Sequence, residues 1–233
     1  MPELHELSAL DQARSIRSRD ISPVELTRHY LDRIQRIDPG IGAYVTVTGE
    51  QAVDQARSLE RELPDGPLAG VPIPVKDLNL VKDVPIRFGS ATYRDFVAPV
   101  DDTVVTRLRA AGTIMLGKTA TPEFGLPCYT ETSVGPPARS PWDPRTSAGG
   151  SSGGAAAAVA AGLAPRRPRQ RRRGLDPHPR LGLRPVRHQA HARAHQLRAD
   201  HPRPRRSVHE RAHRPYRRRR RGPARRHGPQ RAR

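Results

Sequence analysis

Gly149-Gly-Ser-Ser-Gly-Gly154 runs straight into Ala155-Ala-Ala-Ala-Val-Ala-Ala-Gly162, and that junction decides how the chain is read. Paired glycines open backbone conformations that other residues avoid, whereas alanine is the strongest helix former. Two serines therefore sit in a tight turn at a helix start, where unpaired N–H groups favour negative charge. A flexible Gly-Ser linker would not lead directly into an alanine run, so the loop has a structural role. Serine chemistry and a simple anion-binding turn both fit it. A phosphate-cradling P-loop does not, because no Gly-Lys-Ser/Thr follows at the required spacing.

Upstream, Gly70-Val-Pro-Ile-Pro-Val-Lys-Asp77 places Lys76 at the end of a short apolar strand. A lysine is protonated near neutral pH, but burial lowers its pKa and lets it take a proton from a serine hydroxyl. A Ser-Lys arrangement is an established way to activate a nucleophile. A lysine at a strand end that simply faces solvent is the other reading.

The rest of the first 165 residues alternates helix and strand signals. Ser8 is expected to cap a helix with Leu10, Ala13 and Ile16 facing inward. Ser22-Pro23 with Glu25 forms a capping box ahead of Leu26, Tyr30, Ile34 and Ile37, and Pro39-Gly40 ends that helix. Ala43 to Thr48 reads as a strand, and Glu50 to Glu62 as a helix with Ala52, Ala56 and Leu59 on one side. After the turn at Asp65-Gly66, Val71 to Val75 reads as a buried strand. Asp102 caps a further helix through Val105, Leu108 and Ala111, stopped by Gly112, and Thr113 to Leu116 is the next strand. The expected class is α/β, with a mixed central sheet flanked by helices.

Composition then splits the chain. Residues 1–165 hold 17 Lys and Arg against 20 Asp and Glu, whereas residues 166–233 hold 25 Arg, no Lys and three acids. The second segment has one aromatic, Tyr216, and few apolar residues, so it cannot repay the entropy of ordering. It is expected to be a disordered basic tail beside a partial domain spanning 1–165. Such a polycation would bind nucleic acid without sequence preference, in a manner weakened by salt and lost on truncation at Pro165. The eight tail histidines have no regular ligand spacing, so neither metal nor cofactor is expected. Lone Cys128 excludes an internal disulfide framework, and no stretch reads as a signal peptide or membrane span. A cytoplasmic location is the expectation.

Four stretches give the chain a specific resemblance. Gly70 to Asp77, Leu108-Arg-Ala-Ala-Gly-Thr-Ile-Met-Leu-Gly-Lys-Thr119, Thr132-Ser133 ahead of Pro141-Trp-Asp-Pro144, and Gly149 to Gly162 resemble the amidase signature family. The match covers residues 5 to 165 and corresponds to the first third of a family member. The resemblance implies hydrolysis of a small-molecule carboxamide through an acyl-enzyme, and in some members ammonia supply within a glutamyl-tRNA amidotransferase. It makes Lys76 the general base, Ser151 a relay serine on a cis peptide bond, and Ser152 an assisting hydroxyl in the loop formed with Gly149, Gly150, Gly153 and Gly154. Residues 125–133, including Cys128, Tyr129 and Thr130, would line the substrate side, with Leu126, Pro127 and Cys128 standing where small residues are usual.

The resemblance places the attacking serine at position 175, where this chain has Leu175 within Arg171-Arg-Arg-Gly-Leu-Asp176. Leucine has no nucleophilic group. Shifting the reading frame by one nucleotide over codons 171 to 181 permits Asp-Gly-Gly-Gly-Ser-Ile-Arg-Ile-Pro-Ala, and codons 182 to 193 permit Val-Cys-Gly-Leu-Phe-Gly-Ile-Lys-Pro-Thr-Arg. Both resemble the family's continuation. Residues 166–233 thus read as a shifted frame, through either a lesion in the gene or an error in its sequence. The 233-residue polypeptide is expected to be inactive and poorly folded. The rival expectations are a nucleic-acid-binding protein and a component of an amidotransferase-like or scaffolding assembly.

Overall fold

The computed structural model describes residues 3–166. In chain order these form α1 (Ala9–Arg17), α2 (Pro23–Ile37), β1 (Tyr44–Val47), α3 (Gly49–Arg61), β2 (Pro72–Lys76), α4 (Thr103–Ala110), β3 (Ile114–Thr119), β4 (Arg139–Ser140), β5 (Asp143–Ser147) and α5 (Gly153–Ala160). The expected disordered tail and the position-175 site lie outside the described residues. Arg166, assigned to the tail on composition, belongs to the fold: its carbonyl accepts from Ala9 N at 2.9 Å.

Local chemistry sets the helix starts. Ser8 Oγ accepts from Asp11 N at 3.2 Å, Ser22 Oγ from Glu25 N at 3.0 Å, and Asp102 Oδ1 from Val105 N at 2.9 Å. Each satisfies an N–H with no partner inside its own helix. At the other end of α2, the Asp38 carboxylate accepts from Ala43 N and Tyr44 N at 2.7 and 3.2 Å, turning the chain into β1.

The three-stranded sheet is mixed. Its order is β1-β3-β2, with β1 antiparallel and β2 parallel to the central β3, and Lys76 falls opposite Thr119. β3 is buried along its whole length. Leu116 packs in a cluster with Ile16, Leu26, Tyr30, Ile34, Val71 and Ala157, which joins α1, α2 and α5. Met115 packs with Val75 and with Val105 of α4 in a separate cluster. The helices therefore cover both faces.

One element departs from the sequence expectation at its core face. Leu10 is 39% exposed, and Gln12 takes its inward place, donating to Tyr30 Oη at 2.6 Å and to Leu4 O at 2.9 Å. Residues six apart lie about 120° apart around a helix, so Leu10 and Ile16 cannot share one narrow face. The β4–β5 hairpin, which pairs Arg139 with Ser147, was not foreseen.

The end of α5 is tied back to α2. Arg33 Nε and a terminal nitrogen donate to Gly162 O and Ala161 O at 2.9 and 3.1 Å, a cationic cap on the helix C-terminus. Beside it, His5 Nδ1 and His29 Nε2 lie 3.1 Å apart with their rings stacked. Burial lowers both imidazole pKa values, and the Arg33 charge adds to the effect; Glu3 opposes it at both rings, while Asp32 opposes and Arg36 reinforces it at His29 and Arg166 reinforces it at His5. A base with a lowered folded-state pKa leaves the unfolded chain binding more protons. The pair's contribution is thus complete above the ordinary histidine value of about 6.5 and is lost as pH falls through it. The thermal midpoint is expected to drop between about pH 7 and about pH 5, and His29→Phe to flatten that drop. An unchanged slope in the variant would place the acid sensitivity elsewhere.

Candidate active site

The site is built where the end of β2 meets the start of α5. Lys76 Nζ lies 3.0 Å from Ser151 Oγ and 2.9 Å from Ser152 Oγ, across 75 residues of sequence. Burial of the side chain lowers the Lys76 pKa, which raises the fraction able to accept a proton. The Lys76 carbonyl accepts from Asn79 N at 3.0 Å, closing a turn straight after the strand.

That turn is pinned from below. Asp77 and Lys118 are 1% and 0% exposed, with Asp77 Oδ1 and Lys118 Nζ 3.1 Å apart. Lys118 Nζ also donates to Asn79 O at 2.8 Å, and Asp77 Oδ2 accepts from Arg87 N at 3.1 Å. Burial pushes the Asp77 carboxyl up and the Lys118 amine down, and each partner's charge opposes the shift. Asn79 Nδ2 donates to Asp102 Oδ2 at 2.7 Å, which joins the turn to the start of α4.

The serine loop is held from the opposite side. The Gly150–Ser151 peptide bond is cis, and Gly149 has φ +83°. Thr130 Oγ1 donates to Gly149 O at 2.8 Å and accepts from Gly153 N at 3.1 Å, so one hydroxyl clamps both ends of the turn. Gly150 lies against the Cys128–Tyr129 backbone, where a Cβ would come within 2.6 Å of Tyr129 N. Thr121 Oγ1 donates to Ser151 O at 3.2 Å. Within the loop expected on the substrate side, Cys128 is exposed and Tyr129 is 49% exposed, whereas Thr130 is fully buried beneath the serines.

Sequence reasoning singled out Lys76, Ser151, Ser152 and the four glycines, and the structure brings these together. It missed Thr130 as a clamp and Lys118 as a buried ion-pair partner. Lys118 carries the same signal as Lys76, a lysine closing an apolar strand. Thr130 carries no signal of its own. No trio of His, Cys, Asp or Glu among the described residues is arranged to hold a metal ion. No helix among them is long and apolar enough to cross a membrane.

Residues 25–166 match the protein family described as Amidase. The chain belongs to the amidase-signature family. It is 45% identical over 166 residues to a putative amidase of Synechocystis sp., covering 68% of this chain and 33% of that one. It is also 43% identical over 155 residues to one component of the glutamyl-tRNA(Gln) amidotransferase of Salinispora tropica, covering 65% and 32%. Among solved structures, 6-aminohexanoate cyclic dimer hydrolase superposes with a TM-score of 0.65 at 35% identity, covering 70% of this chain and 33% of that one. This amidase-family chain thus spans about a third of the length of the curated relatives it matches.

Proposed function

We propose that the described residues form the proton-handling half of an amide-hydrolysing centre, with Lys76 as base and Ser151 as relay. We further propose that the 233-residue polypeptide does not itself cleave carboxamides. The observation that carries the first part is the approach of Lys76 Nζ to both hydroxyls, at 3.0 and 2.9 Å. A neutral Lys76 draws the proton from Ser151, and Ser151 passes the demand to a further hydroxyl.

Amide cleavage needs more than this. An attacking oxygen must reach the carbonyl, donors must stabilise the oxyanion, and the leaving amine must receive a proton. Two N–H groups at the start of α5 are already committed, Gly153 N to Thr130 Oγ1 and Gly154 N to Ala120 O. Position 175, which corresponds by resemblance to the attacking serine, is leucine. The substrate class supported is a small carboxamide, by analogy with the amide-cleaving relatives. A free-standing amidase and a component of an amidotransferase both fit this half of the centre, and the unit boundary near residue 166 is part of the same proposal.

The test compares the 233-residue chain with one in which the alternative frame is restored after codon 165, scored by ammonia release from simple carboxamides. The first is expected to show no release above its Lys76→Met variant. The second is expected to hydrolyse amides and to lose that activity on Lys76→Met. Amide hydrolysis by the 233-residue chain that depends on Lys76 would overturn the proposal of inactivity.

A further inference from the structure

We propose that Ser152 is an acyl acceptor in its own right: with Lys76 as base, this chain takes a short acyl group from an activated ester, although it does not cleave amides. The inference rests on the assignment of Lys76 as base. Of the two serines within reach of Lys76 Nζ, Ser152 is the exposed one. Ser151 is half-buried, and its carbonyl is held by Thr121. An incoming carbonyl carbon can therefore reach Ser152 Oγ without displacing backbone. Ser152 also stands at the N-terminus of α5, whose dipole favours the negative charge that develops on the carbonyl oxygen. Burial lowers the Lys76 pKa, which favours the neutral, proton-accepting amine.

The distinction between ester and amide follows from the leaving group. An amine is expelled only from a tetrahedral centre whose oxyanion is held by hydrogen-bond donors, and the Gly153 and Gly154 N–H groups are already committed to Thr130 Oγ1 and Ala120 O. A nitrophenolate leaves with the electron pair unaided. In the proposed step the Ser152 Oγ–carbonyl carbon bond forms, the carbon–phenolate oxygen bond breaks, and the serine proton passes to Lys76 Nζ. Lys76 returns its proton to solvent. Water then cleaves the acyl-serine, releasing the carboxylic acid and restoring the hydroxyl.

The experiment uses the full chain in a Cys128→Ser background, because Cys128 is exposed and a free thiol would compete. The chain is incubated with p-nitrophenyl acetate and followed by nitrophenolate release, intact mass and peptide mapping. The expected result is a stoichiometric burst with one acetyl group on Ser152, at a rate that rises with pH as Lys76 deprotonates. Ser152→Ala should lose the label, and Lys76→Met should slow it roughly 100-fold, with circular dichroism matching the parent in both. Label found only on Ser151, on Lys76 or on surface side chains would overturn the proposal. So would a rate equal to that of the urea-unfolded chain, or one unaffected by Lys76→Met. If Ser152 stays unlabelled while the frame-restored chain hydrolyses amides through Lys76, the acceptor assignment alone falls. If Lys76→Met leaves both reactions unchanged, the base assignment falls with it.

Discussion

Lys118→Met is expected to abolish the cooperative unfolding transition of this chain in urea. Lys118 and Asp77 are both buried, and removing one member of a buried pair strands the other's charge at a cost of about 3–5 kcal/mol. A domain with a core of this size has only a few kcal/mol of stability to lose. The Lys118 ammonium also holds Asn79 O, so its loss frees the turn that follows Lys76. The double variant Lys118→Met/Asp77→Asn should recover much of the loss, because it leaves no uncompensated charge and keeps an acceptor for Arg87 N. In the single variant Asp77 loses the partner that opposed its upward shift, so its folded-state pKa rises further above the unfolded value. The folded state then binds more protons than the unfolded state, and stability falls as pH rises. Lys118→Met should therefore be rescued by mild acid relative to the parent. A variant that unfolds at the parent's urea midpoint would show that the ion pair contributes nothing net.

The parts of this fold that were legible in the sequence are the local ones. Ser8, Ser22 with Glu25, and Asp102 announce helix starts because each side chain bonds a backbone N–H three residues on. Lys76 and the Gly149–Gly154 loop were legible as separate signals, since an unusual residue type marks each. Their meeting was legible only through the family resemblance, because nothing local encodes contact across 75 residues. Thr130 shows the limit most plainly: the resemblance set it on the substrate side, but it is buried, and its hydroxyl bonds Gly149 O and Gly153 N. Leu10 failed for a different reason. Its hydrophobicity argued for burial, but helix geometry gave the inward position to Gln12, which Tyr30 and Leu4 satisfy through its amide nitrogen.

Gly154→Ala is expected to damage both the fold and the site, and it separates what the glycines do from what the serines do. A Cβ at Gly154 would lie 2.4 Å from Ala120 N, 2.6 Å from Ala120 O and 2.6 Å from Ala43 O. All three are backbone atoms just beyond β3 and just before β1, so no side chain can swing aside to admit the methyl group. α5 must move away from the sheet, and with it Ser151 and Ser152 at its start. Overpacking of this kind costs about 3 kcal/mol, or more where backbone must shift. The measurement is the urea midpoint together with the rate at which p-nitrophenyl acetate consumes the chain. Both should fall, even though every hydroxyl and amine of the site is still present. Gly40→Ala is the control, since a Cβ there meets nothing within 4 Å and the glycine lacks a positive φ. If Gly154→Ala unfolds at the parent's midpoint and reacts at the parent's rate, the close seat of α5 on the sheet is not what brings the serines to Lys76.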